Sequence, residues 1–285
     1  LSGTANPTVA NVTGGPATYN VAVSNMTTSG PTNTVIASIG AGVATDAAGN
    51  GNLPSSSTDN SVIYNSNAPI VAIDLQITSD SGIFNTDNIT NVASPIFNVA
   101  FDEAVSGLTN TDFSNAGGTA TGCAFAVGAP TGNSYPVTVS GCSEGTLILR
   151  IAGGAVTNIA AVANAQTTGP TVTIDRTGPT VAINQAVGQT DPTNLSPIEF
   201  TAIFNETVTN FATGDVVITG TSGATTGVVT GSGTTYNVAV SDMANDGTVI
   251  AAINAGVATD AAGNSSAERR ASCRSSARPR CRSAR

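Results

Sequence analysis

"TYNVAVSDMANDGTVIAAINAGVATDAAGN" runs from Thr235 to Asn264, and "TYNVAVSNMTTSGPTNTVIASIGAGVATDAAGN" from Thr18 to Asn50. The last nine letters of the two, Gly42–Asn50 and Gly256–Asn264, are identical. Their openings carry the structural signal. Tyr236, Val238 and Val240 alternate with Asn237, Ala239 and Ser241, the period-two pattern of an antiparallel strand with one buried face. The closing Gly/Ala/Asp/Asn run is turn chemistry, in which Asp46 and Asp260 can bond their own backbone and Gly49 and Gly263 can supply φ > 0. The same loop written twice is either a gripping motif or the punctuation of a repeated unit.

The match continues upstream without a gap, so that Leu1 corresponds to Ile218 and the first unit is entered partway. This opening, in mid-pattern and without an initiating Met, reads as a fragment of a longer chain. A diverged third copy lies between. "SPIFNVAFDEAVSGLTNTDF" (Ser94–Phe113) aligns with "SPIEFTAIFNETVTNFATGDV" (Ser196–Val216), setting Glu103 on Glu206 and Asp112 on Asp215. "SYPVTVSGCSEGTLILRIAGGAVTN" (Ser134–Asn158) aligns with the Tyr236 segment, where Asp260 meets Asn158 and the loop reads as eroded. "NAPIVAID" (Asn67–Asp74) and "TGPTVAIN" (Thr177–Asn184) mark unit starts. A Pro there fixes φ and withholds a donor just before a strand.

The units are thus residues 1–66 (the C-terminal part of one), 67–175 and 176–268, with 269–285 left over. A period of about 100 residues is long enough for a domain with its own core, unlike the 20–50 residues of a solenoid. In the third unit strands are predicted near 180–184, 197–204, 206–211, 215–219, 224–230, 234–241 and 248–254, with another after Asn264. Seven or eight short strands in about 100 residues predict an all-β chain of tandem immunoglobulin-like antiparallel β-sandwiches. Tyr19, Tyr135 and Tyr236 share one inward position and are expected in the cores, each hydroxyl reaching a backbone partner at the rim.

Composition agrees. Gly, Ala, Thr, Ser, Asn and Val dominate, and the chain has no His, no Lys and no Trp. Residues 1–268 hold all 18 acidic side chains against Arg150 and Arg176, a net charge of −16. Such a body repels nucleic acid and anionic lipid, which need clustered cations. No apolar run is long enough to span a membrane. Neither nucleic-acid binding nor membrane insertion is expected.

These ordered motifs resemble the bacterial Ig-like repeats found in tandem in very large surface adhesins and biofilm-associated proteins, and "RTGPTVAI" resembles that family's unit start. The likeness covers roughly residues 1–266; the middle loop and the tail depart from it. It implies an extracellular structural or adhesive stalk, usually without catalysis in the repeat, whose partners are its neighbouring repeats and an unidentified surface or host-matrix ligand.

The residues point the same way. Without His there is no Ser-His-Asp or Cys-His system, and without Lys no Schiff base or P-loop. Asp102 and Glu103 are strand neighbours facing opposite ways, expected as a solvated strand end. No enzyme is predicted, and no cofactor is required. Calcium is the metal the loops would suit, since hard cations take carboxylate and amide oxygens. The candidates are Asp46, Asp112, Asp215 and Asp260. Strand reversals place Asp191, Asp215 and Asp260 at one end of the third sandwich and Glu206, Asp242 and Asp246 at the other. The simpler reading of Asp46 and Asp260 is the self-bonded turn. Carbohydrate binding, as an accessory repeat of a secreted enzyme, would need exposed aromatic faces, and Tyr64 is the one Tyr left for it.

Cys123 and Cys142 lie symmetrically about the Gly132–Asn133 bond, so a regular hairpin sets them opposite each other for a disulfide, consistent with an exported location. The same register sets Phe125 opposite Ser140, off the face of Tyr135 and Val137, unless a bulge shifts it by one. Cys273 and Cys281 fall in "ERRASCRSSARPRCRSAR", where a closing strand belongs. This Arg-rich tail is expected to be disordered and reads as a shifted frame.

Overall fold

In the computed structural model residues 1–27, 30–267 and, for their backbone, 269–270 are described. The expectation of a disordered tail concerns residues outside that set, apart from the two-residue strand at Arg269–Arg270 that pairs with Ala252–Ile253.

The chain is all-β, built of sheets packed as sandwiches whose strand pairs are antiparallel apart from Ile89–Thr90, which runs parallel to Thr173–Ile174. In residues 67–175 one sheet runs in the order Ala124–Val127, Ser134–Ser140, Ile96–Phe101, Val71–Leu75. The facing sheet runs Ile89–Thr90, Thr167–Ile174, Gly145–Ile151, Phe113–Asn115. Their inward residues, among them Phe97, Val99, Val137, Leu147, Leu149 and Val172, fill one core. Residues 176–267 repeat the plan: Val181–Gln185, Ile198–Val208 and Thr226–Ser241 face Val216–Thr219 and Ile250–Ile253. A separate core of Phe200, Ala202, Phe204, Tyr236, Val238, Val240 and Ile253 lies between.

Two strand boundaries differ from the expected ones. Ile198–Val208 is a single strand with a register irregularity between Ile203 and Val208, not two strands reversing at Asn205. Thr226–Ser241 is one continuous run that folds back, since a Cβ on Gly231 would stand 2.6 Å from the Thr235 carbonyl oxygen. The first unit shows the same hairpin as Val9–Gly14 paired with Tyr19–Ser24.

A clasp closes all three units. Thr221 and Thr248 exchange bonds, each backbone N–H reaching the other's hydroxyl at 3.1 and 3.0 Å. Thr119 with Thr146, and Thr4 with Thr34, do the same. The residue before the first Thr is always Gly, because a Cβ on Gly3, Gly118 or Gly220 would meet the opposing Thr carbonyl oxygen at 2.0–2.2 Å.

The tyrosines divide. Tyr236 is 5% exposed and its hydroxyl donates to the Val208 carbonyl at 3.2 Å; Tyr135 makes the matching bond to Val105 at 3.5 Å. Tyr19 is 57% exposed, since no counterpart of Ile198–Val208 covers the hairpin of residues 9–24. Cys123 and Cys142 form the disulfide. The hairpin register pairs Phe125 with Val139 rather than Ser140, so that Phe125, Val127 and Tyr135 all pack on the core. Near the turn Thr131 pairs with Ser134, one residue out of step with Val127 opposite Val137. A bulge therefore supplies the shift. In residues 176–267 the equivalents of the cysteines are Ala224 and Met243, which pack against that core instead.

Candidate functional site

The turn after the last core strand has one structure in all three units. Asp46, Asn158 and Asp260 each receive a bond from the residue three later, at Gly49, Ala161 and Gly263, and give their own N–H to the carbonyl four later. Gly49 and Gly263 have φ of 85° and 88°; Ala161 takes 63° at the same place. The middle loop is thus eroded in letters and intact in backbone. In the first unit the turn is bonded to itself: Asp46 accepts Ala48 N–H, Asn50 N–H and Asn50 Nδ2, all at 2.9 Å. Those bonds hold the Asp46 carboxyl below its usual range, the Asn50 side chain most of all.

Asp112 and Asp215 occupy a different turn. Asp112 Oδ2 accepts Thr109 N–H at 2.7 Å and Asp215 Oδ2 accepts Ala212 N–H at 2.7 Å. Neither joins Asp260 in a cluster.

Asp260 is met by other residues. Oxygens of Asp175, Glu206 and Asp260 all lie within 4.8 Å of one another. Because Ile198–Val208 does not reverse, Glu206 comes to the Asp260 end of the sandwich, not to the opposite end as expected. Asp191 goes the other way, lining a small cleft with Gln185, Ile198 and Val249. Asp260 is 2% exposed and accepts Asn264 N–H and Nδ2 at 2.8 and 3.0 Å. Glu206 receives only Asn205 Nδ2, at 3.3 Å, among the bonds found for its side chain. Burial pushes the Glu206 carboxyl up, and the charges of Asp260 and Asp175 push it further. Three hard oxygen donors that, among the described residues, face no cationic side chain suit a divalent ion such as calcium.

The middle unit holds the same positions with different chemistry. Asn65, Glu103 and Asn158 stand where Asp175, Glu206 and Asp260 stand in the third. Asn65 Nδ2 donates to Glu103 Oε2 at 2.9 Å and Asn158 Nδ2 to Glu103 Oε1 at 3.1 Å. Glu103 is therefore not a solvated strand end but a buried, bonded carboxylate, while exposed Asp102 accepts Ile70 N–H at 2.8 Å. The opposite facing of the pair is as expected.

Sequence reasoning passed over Asp175 and Asn65 because they precede the unit-start Pro by four residues and look like linker. Aligning the two unit starts, Pro69 on Pro179, is the signal that would have paired them. Tyr64, the remaining aromatic considered for sugar, is half-buried at the end of Ser61–Tyr64.

No protein-family model matches the chain, and no curated protein matches it. Among solved structures it is similar to FdeC, an Escherichia coli adhesin, at 13% identity over 91% of this chain and 85% of that one, with a TM-score of 0.38. So loose a superposition carries no argument about role.

Proposed function

We propose that this chain is a non-catalytic stalk segment of a bacterial surface-anchored or secreted repeat protein, working outside the cell to carry or contribute to adhesion. The observation that carries the reading is two sandwiches with separate cores joined through a bonded linker, a design that spans distance and offers its flanks to neighbours. The acidic, His- and Lys-free body and the Cys123–Cys142 disulfide support an exported, binding rather than reacting, role. Antibody raised to residues 67–267 and applied to intact producing cells tests it; labelling seen only after lysis overturns it.

A calcium-stiffened stalk is the second reading, supported by the Asp175–Glu206–Asp260 cluster. Asp175 belongs to the linker and the other two to the third sandwich, so a bound ion would tie one to the other. Calorimetric titration of the metal-free chain with calcium is expected to give saturable heat and a raised melting temperature. Absence of both ends this reading while leaving the stalk proposal standing.

A further inference from the structure

The GVATDAAGN turn touches more than its own sandwich. Ala262 is fully buried without belonging to the third core. The Ser81 hydroxyl lies 2.8 Å from the Ala262 carbonyl oxygen while accepting Asn91 N–H at 2.8 Å. Gly82, at φ 99°, lies flat on the turn: a Cβ there would stand 1.9 Å from the Ala261 carbonyl oxygen, and one on Gly263 3.1 Å from Gly82 Cα. The linker is fastened on both sides. Arg176 donates to the carbonyls of Cys142, Val92 and Ala93, Glu144 accepts Arg176 N–H and the Thr177 hydroxyl, and Asn264 Nδ2 donates to Asp175 O. The acceptor loop is longer in the middle unit than its counterpart in the third, since the path from the first strand to Ser94–Pro95 exceeds the path to Ser196–Pro197.

We propose that the GVATDAAGN turn is an inter-repeat plug, and that its socket is the Ser81–Gly82–Asn91 loop of the preceding repeat. Repeats two and three are held by it as one rigid body. The identical turn in repeat one, Gly42–Asn50, keeps the same internal bonds and is exposed throughout, so it presents the same plug to a repeat carrying that socket. Nine identical letters are what a shared mating surface demands of two turns, and the middle turn carries different ones.

The test begins with Gly82→Val and Ala262→Asp in the full chain, with Ala48→Asp as control on the unplugged copy. Solution scattering of the wild type is expected to fit one fixed arrangement of repeats two and three. The first two variants should give a broadened distribution of largest dimensions and faster proteolysis within 176–180, and Ala48→Asp should change neither. Profiles of both variants superimposable on the wild type overturn the proposal; so does an equal effect of Ala48→Asp, which would show a defect of the turn alone. Should Gly82→Val fail to fold, Ala262→Asp decides. A second arm grafts residues 67–217 ahead of Leu1, restoring the missing part of repeat one behind a socket. The Ala48 methyl should then show nuclear Overhauser contacts to the grafted copy of Gly82, and their absence in a graft that buries Tyr19 overturns the claim for repeat one. Calcium is left out of every sample, so the outcome does not depend on the carboxylate cluster.

Discussion

Repeats two and three solve one problem in opposite ways. Both bring three polar side chains together at the same end of the sandwich. In repeat two a single carboxylate, Glu103, is flanked by two amides that donate to it. In repeat three three carboxylates face each other. The first arrangement is complete in itself, because a buried charge whose lone pairs are filled costs little. In the second, the charges of Asp260 and Asp175 oppose the ionisation of Glu206. What separates the self-bonded node from the carboxylate cluster is two nitrogen-for-oxygen exchanges on one backbone.

The comparison can be broken most severely at Asn158. Asn158→Asp removes the donor to Glu103 and adds a second buried charge, and is expected to destabilise repeat two by about 3 kcal/mol in metal-free buffer. A melt of the variant with and without calcium checks it, with partial recovery expected on adding the ion. Reducing Cys123–Cys142, which closes a loop of sequence separation 19, should also cost repeat two about 2–3 kcal/mol. Denaturant unfolding with and without reductant would then compare two repeats that both lack a covalent clip.

In repeat three the change runs the other way. Asp260→Asn should raise metal-free stability by roughly 1 kcal/mol and abolish the calcium response, as read by melting in EDTA and in calcium. The pH dependence carries the same sign. Glu206 has a folded pKa above its ordinary value, so its ionisation opposes folding at neutral pH. Stability of repeat three should therefore rise as pH falls through that raised pKa towards the ordinary carboxylate range, and Glu206→Gln should flatten the curve. The smallest effect belongs to Ala161→Gly, which relieves a left-handed alanine and is expected to add up to about 1 kcal/mol to repeat two.

Much of this was readable in the letters. Period-two alternation at Tyr236–Val240 found the core strands, and Gly and Asp found the turn. The reversal wrongly placed at Asn205 shows the limit. Glu206 and Val208 continue a strand through an irregularity that no local pattern marks, and one false reversal sets Glu206 at the end opposite Asp260. The cluster escaped for a related reason: Asp175, Glu206 and Asp260 are brought together by tertiary register, not by spacing. The Thr221–Thr248 clasp was hidden differently, because a Gly-Thr pair is common and only its recurrence in three units gives it meaning.

The order of the repeats has a kinetic consequence. Residues 18–24 and 235–241 are identical letter for letter and would pair with each other's partners almost as well as with their own, a hazard of like domains emerging from one chain during synthesis. The unit between them has different letters at nearly every surface of that hairpin and a covalent link of its own. It therefore stands as a spacer in time as well as in length, letting each near-twin close on its own strands before the other can compete for them.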